Sequence, residues 1–354
     1  MPLPLFAFTL LRNAIKYDYC YLESLKSLSH LVDKTFLALG NSEDDTESSL
    51  KEIPHLQIIP TIWDEKLRDG AIILSQQTNL ALTAARNYAK KMSLNSAWAI
   101  YLQADEVLHQ NDLELIKSDI ENAENSGCDV VSFRYFHFWQ NHNHIAINKK
   151  WYPQEIRAVR LFPRESSSPI IESWGDAQSF RNYSKNYFSE ARIFHYGHVR
   201  EISKYIEKKK DILQLYHEKN RLEKYRNREK KFDKRTEVLN YFGSHPFVMR
   251  ERILRMSDIF ELPSVDLVYI VGDENLYSSE FKKNILAGKT IWVSSVFKVP
   301  SQFLRSAVIA THSFLDRVMY PSKVPRRMRS KHALFWSKET CLTLKLSEKF
   351  IGLK

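Results

Sequence analysis

The sequence predicts an α/β fold: a mostly parallel sheet flanked by helices, followed by a charged helical extension and a small C-terminal α/β region. Three observations carry this. Through residues 1–110, short apolar runs alternate with segments whose apolar residues recur at helical spacing. Each short run ends in polar residues. The balance of charge changes near residue 200. Residues 1–200 hold 21 Lys+Arg against 24 Asp+Glu, a net of −3, and residues 201–354 hold the remaining 31 and 18, a net of +13 within the chain's +10.

Leu5 to Leu11 reads as a buried strand, and Tyr21, Leu22, Leu25, Leu28 and Leu31 mark the helix after it. Thr35 to Leu39 is a second strand, with a helix start predicted over Thr46 to Leu50, where Ser42 and Asp44 can cap free amides. Leu56 to Ile59 is a third strand. A long helix follows with Leu80, Ala81, Ala84, Ala85, Tyr88, Ala89 and Met92 on one face, and Ala97 to Leu102 is a fourth strand. Asp129 to Tyr135 is another, leading into an expected loop with His137, Phe138, Trp139, His142 and His144. Pro163 to Pro169 is rich in turn residues, and Arg192 to Phe194 is a short last strand. Glu201 to Arg235 is charged and helical. Ser264 to Val271, Ser278 to Leu286, Thr290 to Val293 and Ser301 to Met319 read as strand, helix, strand, helix. The expected domains are 1–200, catalytic, 201–260, the charged extension, and 261–354, an accessory region.

Hydrophobic residues make up 44% of the 354, enough for a core, and no stretch reaches the ~20 apolar residues that span a bilayer. Cys20, Cys128 and Cys341 are scattered, which argues against both a disulfide framework and a metal-ligand spacing and suits the cytoplasm. Leu3 to Leu11 reads as a core strand and not as a signal segment. The basic back half suits an anionic partner, and peripheral attachment at an anionic inner membrane face is expected. A nucleic-acid role is weaker, because the aromatic residues form no stacking platform.

Ligands of parallel sheets sit at the carboxyl ends of the strands. Here those ends read Arg12-Asn13, Asn41-Ser42-Glu43-Asp44-Asp45, Trp63-Asp64-Glu65 and Gln103-Ala104-Asp105-Glu106. A carboxylate in a tight turn after a buried strand, as Asp105 is, suits a hard cation that bridges to phosphates. Its plainer reading is a turn residue or a cap for the helix near Asp112.

The segment Tyr101-Leu102-Gln103-Ala104-Asp105-Glu106 resembles the Asp-x-Asp motif of inverting family-two glycosyltransferases of GT-A fold. Asn41-Ser42-Glu43-Asp44-Asp45-Thr46 is similar to the run after that family's second strand, and the resemblance covers roughly residues 3–200. Two positions depart from it: Gln103 stands for the first Asp, and Leu39 stands where many members carry a carboxylate that reads the base.

The resemblance implies a GT-A, Rossmann-like fold and sugar transfer from a nucleotide-sugar donor to a glycan or glycolipid acceptor, as in lipopolysaccharide or capsule synthesis. It implies Mn²⁺ or Mg²⁺ on Asp105 and His195, a general base at Asp176 with Glu172 the alternative, and diphosphate contacts from His198 and Arg200. Arg12, Asp44, Asp64 and Gln103 would line the nucleotide pocket, Asp64 replacing the missing base-reading carboxylate. His137, His142 and His144 lack zinc spacing and suit an acceptor-binding or loop role; Trp139 and Trp151 are either sugar-stacking or core residues. Two other classes fit less well. A nucleotidyltransferase would need a glycine-rich basic loop after the first strand, which Arg12-Asn13-Ala14 is not. A non-enzymatic membrane adaptor with a degenerate transferase fold is kept open by Gln103.

Overall fold

The computed structural model describes residues 3–64, 67, 71–146, 151–162, 164, 167–174, 177–216, 238–241, 244–256, 268–269 and 290–291. The chain divides into two compact units, residues 1–134 with 155–235, and residues 135–154 with 236–354.

The first unit is built on four parallel strands, β1 (Leu5–Leu11), β2 (Lys34–Gly40), β3 (Leu56–Thr61) and β4 (Trp98–Tyr101), in the order β4-β1-β2-β3. Their carboxyl ends therefore lie along one edge. Helices α1 (Tyr21–Ser29) and α2 (Ile72–Lys91) cover opposite faces. Successive strand residues point to opposite sides, and β2 obeys this. Phe36 and Ala38 pack in a core with Ala81, Ala85 and Ala89 of α2, while Leu37 and Leu39 pack with Tyr21 and Leu25 of α1. The alanine face lets α2 lie close on the sheet. Of the residues expected on that face, Leu80 and Met92 are exposed.

Beyond β4 the sheet is mixed. After β5 (Glu106–Leu108), α3 (Leu113–Asn125) and β6 (Val130–Trp139), strand β8 (Gln154–Arg160) pairs antiparallel with β4. Antiparallel partners need no crossover helix, and their less regular apolar patterns hid them from periodicity. The expected short strand 192–194 is the middle of a longer one, β11 (Asn186–His198), which pairs antiparallel with β5 and also pairs with β6. A hairpin of β9 (Ile170–Trp174) and β10 (Ala177–Arg181) was not foreseen. The helix expected over 46–50 is one 3₁₀ turn, Ser48–Leu50. Helix α4 (Ile202–Tyr216) begins the charged extension. This curled, mixed sheet flanked by helices is consistent with a Rossmann-like transferase fold.

In the second unit, β6 continues through residues expected as loop, and β7 (His144–Ala146) pairs with it and with β12 (Val238–Asn240). Alternation divides the aromatics. Tyr135, His137 and Trp139 meet Trp151 and Tyr152, and Phe136 and Phe138 meet Tyr241 and His245. Of the region 264–319, Val268–Tyr269 and Thr290–Ile291 pair in parallel; the other expected elements there lie outside the described residues. Among the described residues no helix is long and apolar enough to cross a membrane.

Candidate functional site

The loops at the carboxyl edge are tied to one another. Asn13, at φ 52°, donates its amide to the Ser42 hydroxyl (3.0 Å) and accepts from the Glu43 amide (2.7 Å). A short polar side chain tolerates that left-handed conformation. The Thr46 hydroxyl accepts from the Ala14 amide at 2.8 Å. Asp44 accepts from the Lys16 amide on one oxygen (2.7 Å), and from the Thr46 amide and hydroxyl on the other (3.1 and 2.5 Å). Burial raises the Asp44 pKa, but these donors outweigh it and hold the carboxyl below its usual range. Both oxygens are thus engaged in knitting two loops. The Arg12 guanidinium donates to the Asn41 carbonyl and lies 5.2 Å from the centre of the Trp63 ring, which itself covers Gly40. A Cβ at Gly40 would sit 2.3 Å from the indole nitrogen, so this position requires glycine. Asp64 follows on an exposed turn, its carbonyl accepting from the Leu67 amide.

Asp105 closes the edge after β4. The turn is fixed from below by Glu106, whose fully buried carboxylate receives Arg157 through two bonds of 2.8 Å and the Gln103 amide at 3.0 Å. A buried carboxylate needs such a partner. The Gln103 carbonyl accepts from the Ser24 hydroxyl, which pins the turn to α1. The side chain of Asp105 is itself nearly buried and faces three basic groups. His195 Nε2 is 3.6 Å from one oxygen; Arg200 Nη2 and Lys208 Nζ lie 3.6 and 3.4 Å from the other. Burial opposes the charge on Asp105, but Lys208, His195 and Arg200 together keep its pKa low. Burial lowers the pKa of His195, against the pull of Asp105, so the imidazole is neutral at neutral pH. β11 delivers His195 opposite Glu106, and the Tyr196 amide bonds the Asp105 carbonyl at 2.8 Å. Gly197 makes room for the cluster, since a Cβ there would lie 2.5 Å from His195 Nε2 and 2.9 Å from Asp105 Oδ2.

Arg200 is built in deeply. Its Nη1 donates to the Tyr17 carbonyl and its Nη2 to that of Gly197, while its buried Nε has no hydrogen-bond partner. The ring of Tyr19 lies 4.7 Å from its guanidinium carbon and 4.4 Å from Lys208 Nζ. Asp211, one turn beyond Lys208, accepts from the Tyr17 hydroxyl (2.9 Å) and pairs with Lys16 (3.1 Å). These contacts hold α4 across the β1–α1 loop. His198 lies beside Tyr205, 3.3 Å from ring nitrogen to hydroxyl.

The structure places Asp105, His195 and Arg200 side by side, with Lys208, Tyr19 and the Lys16–Asp211 pair around them. Sequence reasoning missed Lys208 because it sits in a run of charged helix residues. Arg157 carried a signal that went unused, a cation inside the apolar run Ile156 to Val159. Asp176 lies outside the described residues. The strands flanking it pair from Trp174 to Ala177, and Gln178 anchors the second of them to the edge, accepting from Tyr101 at 2.5 Å and Thr78 at 2.9 Å. Glu172, the alternative base, is half-exposed and 3.8 Å from Arg181. His137, His142 and His144 are buried in the second unit, His137 against the Tyr152 carbonyl and His144 against Asn141. Trp139 and Trp151 pack edge to face at 5.5 Å and are buried there.

The Mn²⁺ or Mg²⁺ expected from the resemblance would take Asp105 and His195 as ligands, and these two do adjoin. The donor set around them does not fit a hard divalent cation, which takes about six oxygen ligands. Among the described residues Asp105 is the carboxylate that His195, Arg200 and Lys208 face, and its second oxygen already faces an ammonium and a guanidinium. Among the described residues no group of three or more His, Cys, Asp or Glu side chains gathers in a metal-binding arrangement.

No protein-family profile matches the chain, and no curated protein does. Solved structures similar to it include S. aureus TarS, at 11% identity and a TM-score of 0.33 over 60% of this chain and 39% of that one. Residues 1–349 of TarS align at 11% identity and 0.32 over 90% and 81%. HddC from Yersinia pseudotuberculosis aligns at 12% and 0.29 over 57% and 96%. The chain thus spans well under two thirds of the first TarS structure, and at these scores the likenesses bear on neither fold nor activity.

Proposed function

We propose that the chain is an inverting glycosyltransferase that moves a sugar from a nucleotide-sugar donor to a hydroxyl of a glycan or glycolipid acceptor. The observation that supports this most is Asp105, buried at the carboxyl end of β4 under Lys208, Arg200 and a neutral His195. A largely buried cluster that includes Arg200 and Lys208 at that edge favours a polyanionic leaving group. Arg12 on Trp63, with Asp64 and Gln103, lines the same edge for the nucleoside.

In the proposed reaction the acceptor oxygen attacks the anomeric carbon from the face opposite the diphosphate. The C–O bond to the diphosphate breaks and its electron pair stays on the phosphate oxygen. The acceptor proton passes to the Asp176 carboxylate, which lies in the sequence between β9 and β10. The basic cluster stabilises the charge growing on the leaving nucleoside diphosphate. An acceptor in a lipopolysaccharide core or capsule, reached from the inner membrane face, suits the basic residues after position 200 and belongs to the same proposal.

The test is turnover of a panel of nucleotide sugars by the purified chain and by Asp176→Asn. Loss of a general base costs ~10² to 10⁴ in rate, so the variant is expected to fall by that factor with unchanged donor affinity. Equal activity of Asp176→Asn beside an inactive Glu172→Gln reassigns the base, and no turnover of any nucleotide sugar by the wild type contradicts the proposal.

A further inference from the structure

Lys208 pairs with Asp105, the carboxylate expected from the resemblance to hold a divalent cation. Its Nζ is 3.4 Å from Asp105 Oδ2, on the carboxylate that His195 touches from its other oxygen. Of the three basic groups it is the most accessible: its side chain is 14% exposed, against 10% for His195 and 1% for Arg200. Arg200 cannot swing out, because both terminal nitrogens are spent on main-chain carbonyls and the side chain is enclosed. Lys208 is aimed by its own helix, since Asp211 fastens α4 to Tyr17 and Lys16, and the Tyr19 ring backs its ammonium. Arg200 and Lys208 set two basic groups against one oxygen of the Asp105 carboxylate. The unpartnered Arg200 Nε adds a buried donor in the same cluster.

We propose that Lys208, braced by Arg200 and Asp105, is a tethered cation that holds the diphosphate of the ligand without a divalent metal. This rests on the transferase reading for the identity of the ligand, but not for the binding of a diphosphate. A flexible ammonium suits the task, as a point charge that can turn from Asp105 toward a phosphate oxygen.

The experiment titrates inorganic pyrophosphate into the full chain by calorimetry, once in EDTA and once with Mn²⁺, for wild type, Lys208→Met and Lys208→Arg. Mn²⁺ alone is titrated into wild type and Asp105→Asn, followed by electron paramagnetic resonance. The expected result is equal pyrophosphate affinity with and without metal, a loss of about tenfold or more in Lys208→Met, and retention in Lys208→Arg. Circular dichroism confirms that the variants are folded. Pyrophosphate binding that needs Mn²⁺, Mn²⁺ binding to wild type that Asp105→Asn removes, wild-type affinity in Lys208→Met, or no pyrophosphate binding at all each overturns the proposal. Lys208-dependent binding in EDTA without turnover of any nucleotide sugar supports the tethered cation and removes the transferase reading. Turnover that depends on Mn²⁺ does the reverse.

Discussion

Asp105 and His195 were legible in the sequence because each ends a short apolar run, and a polar residue just past a buried strand has few purely structural uses. Their neighbours were not. Glu106 looks equivalent to Asp105 in sequence, yet one side chain turns down onto Arg157 and the other turns up toward Lys208. Only the pairing of β11 with β5 and the position of β8 separate them. The histidines in and after β6 were legible as a group but not as to environment. His142 is enclosed, and burial with a nearby Arg252 charge pushes its pKa down to about 3. Between pH 3 and the ordinary histidine range the unfolded chain binds the extra proton, so stability rises with pH there. The His142 contribution is complete above about pH 6.5 and is lost as pH falls toward 3. The thermal midpoint of the wild type should therefore drop on going from pH 7 to pH 5, and drop less in His142→Gln. Parallel declines in the two proteins would count against the burial assigned to His142.

At the level of elements, β1 to β4 and α1 to α3 were readable, since two-sided burial leaves unbroken apolar runs and one-sided burial leaves helical stripes. The hairpin β9–β10 and strand β8 were missed because Arg157, Glu172 and Gln178 interrupt their patterns; Arg157 and Gln178 are satisfied by partners far off in sequence, and Glu172 faces Arg181 across the hairpin. Helix α4 was read as the start of a charged helical stretch in a basic back half suited to an anionic partner, and its role depends on what Asp211 grips. Tyr17, its pKa pushed up to about 12 by burial and by Asp211, stays protonated and donates. Asp211→Ala removes that bond and the Lys16 pair together, at a local cost of about 1–2 kcal/mol for contacts of this partial exposure. Amide exchange over Ile202–Tyr216 should accelerate accordingly, by roughly tenfold. Unchanged exchange there would mean that other contacts hold the helix.

For the whole molecule, the sheet edge and the basic groups gathered there point toward an anionic ligand in the first unit. A parallel sheet with a basic cluster at its carboxyl edge suits two chemistries, which differ in the bond they break. A glycosyltransferase cleaves between the sugar and the diphosphate; a nucleotidyltransferase cleaves within the diphosphate and needs pyrophosphate for the reverse reaction. The chain has no glycine-rich basic loop after β1, where Asn13, Ser42 and Thr46 instead lock two loops together. The most direct measurement is phosphorus NMR of the purified wild type with the nucleotide sugars that it turns over, with pyrophosphate present. The account predicts accumulation of the nucleoside diphosphate with no sugar 1-phosphate; appearance of sugar 1-phosphate together with nucleoside triphosphate would contradict it.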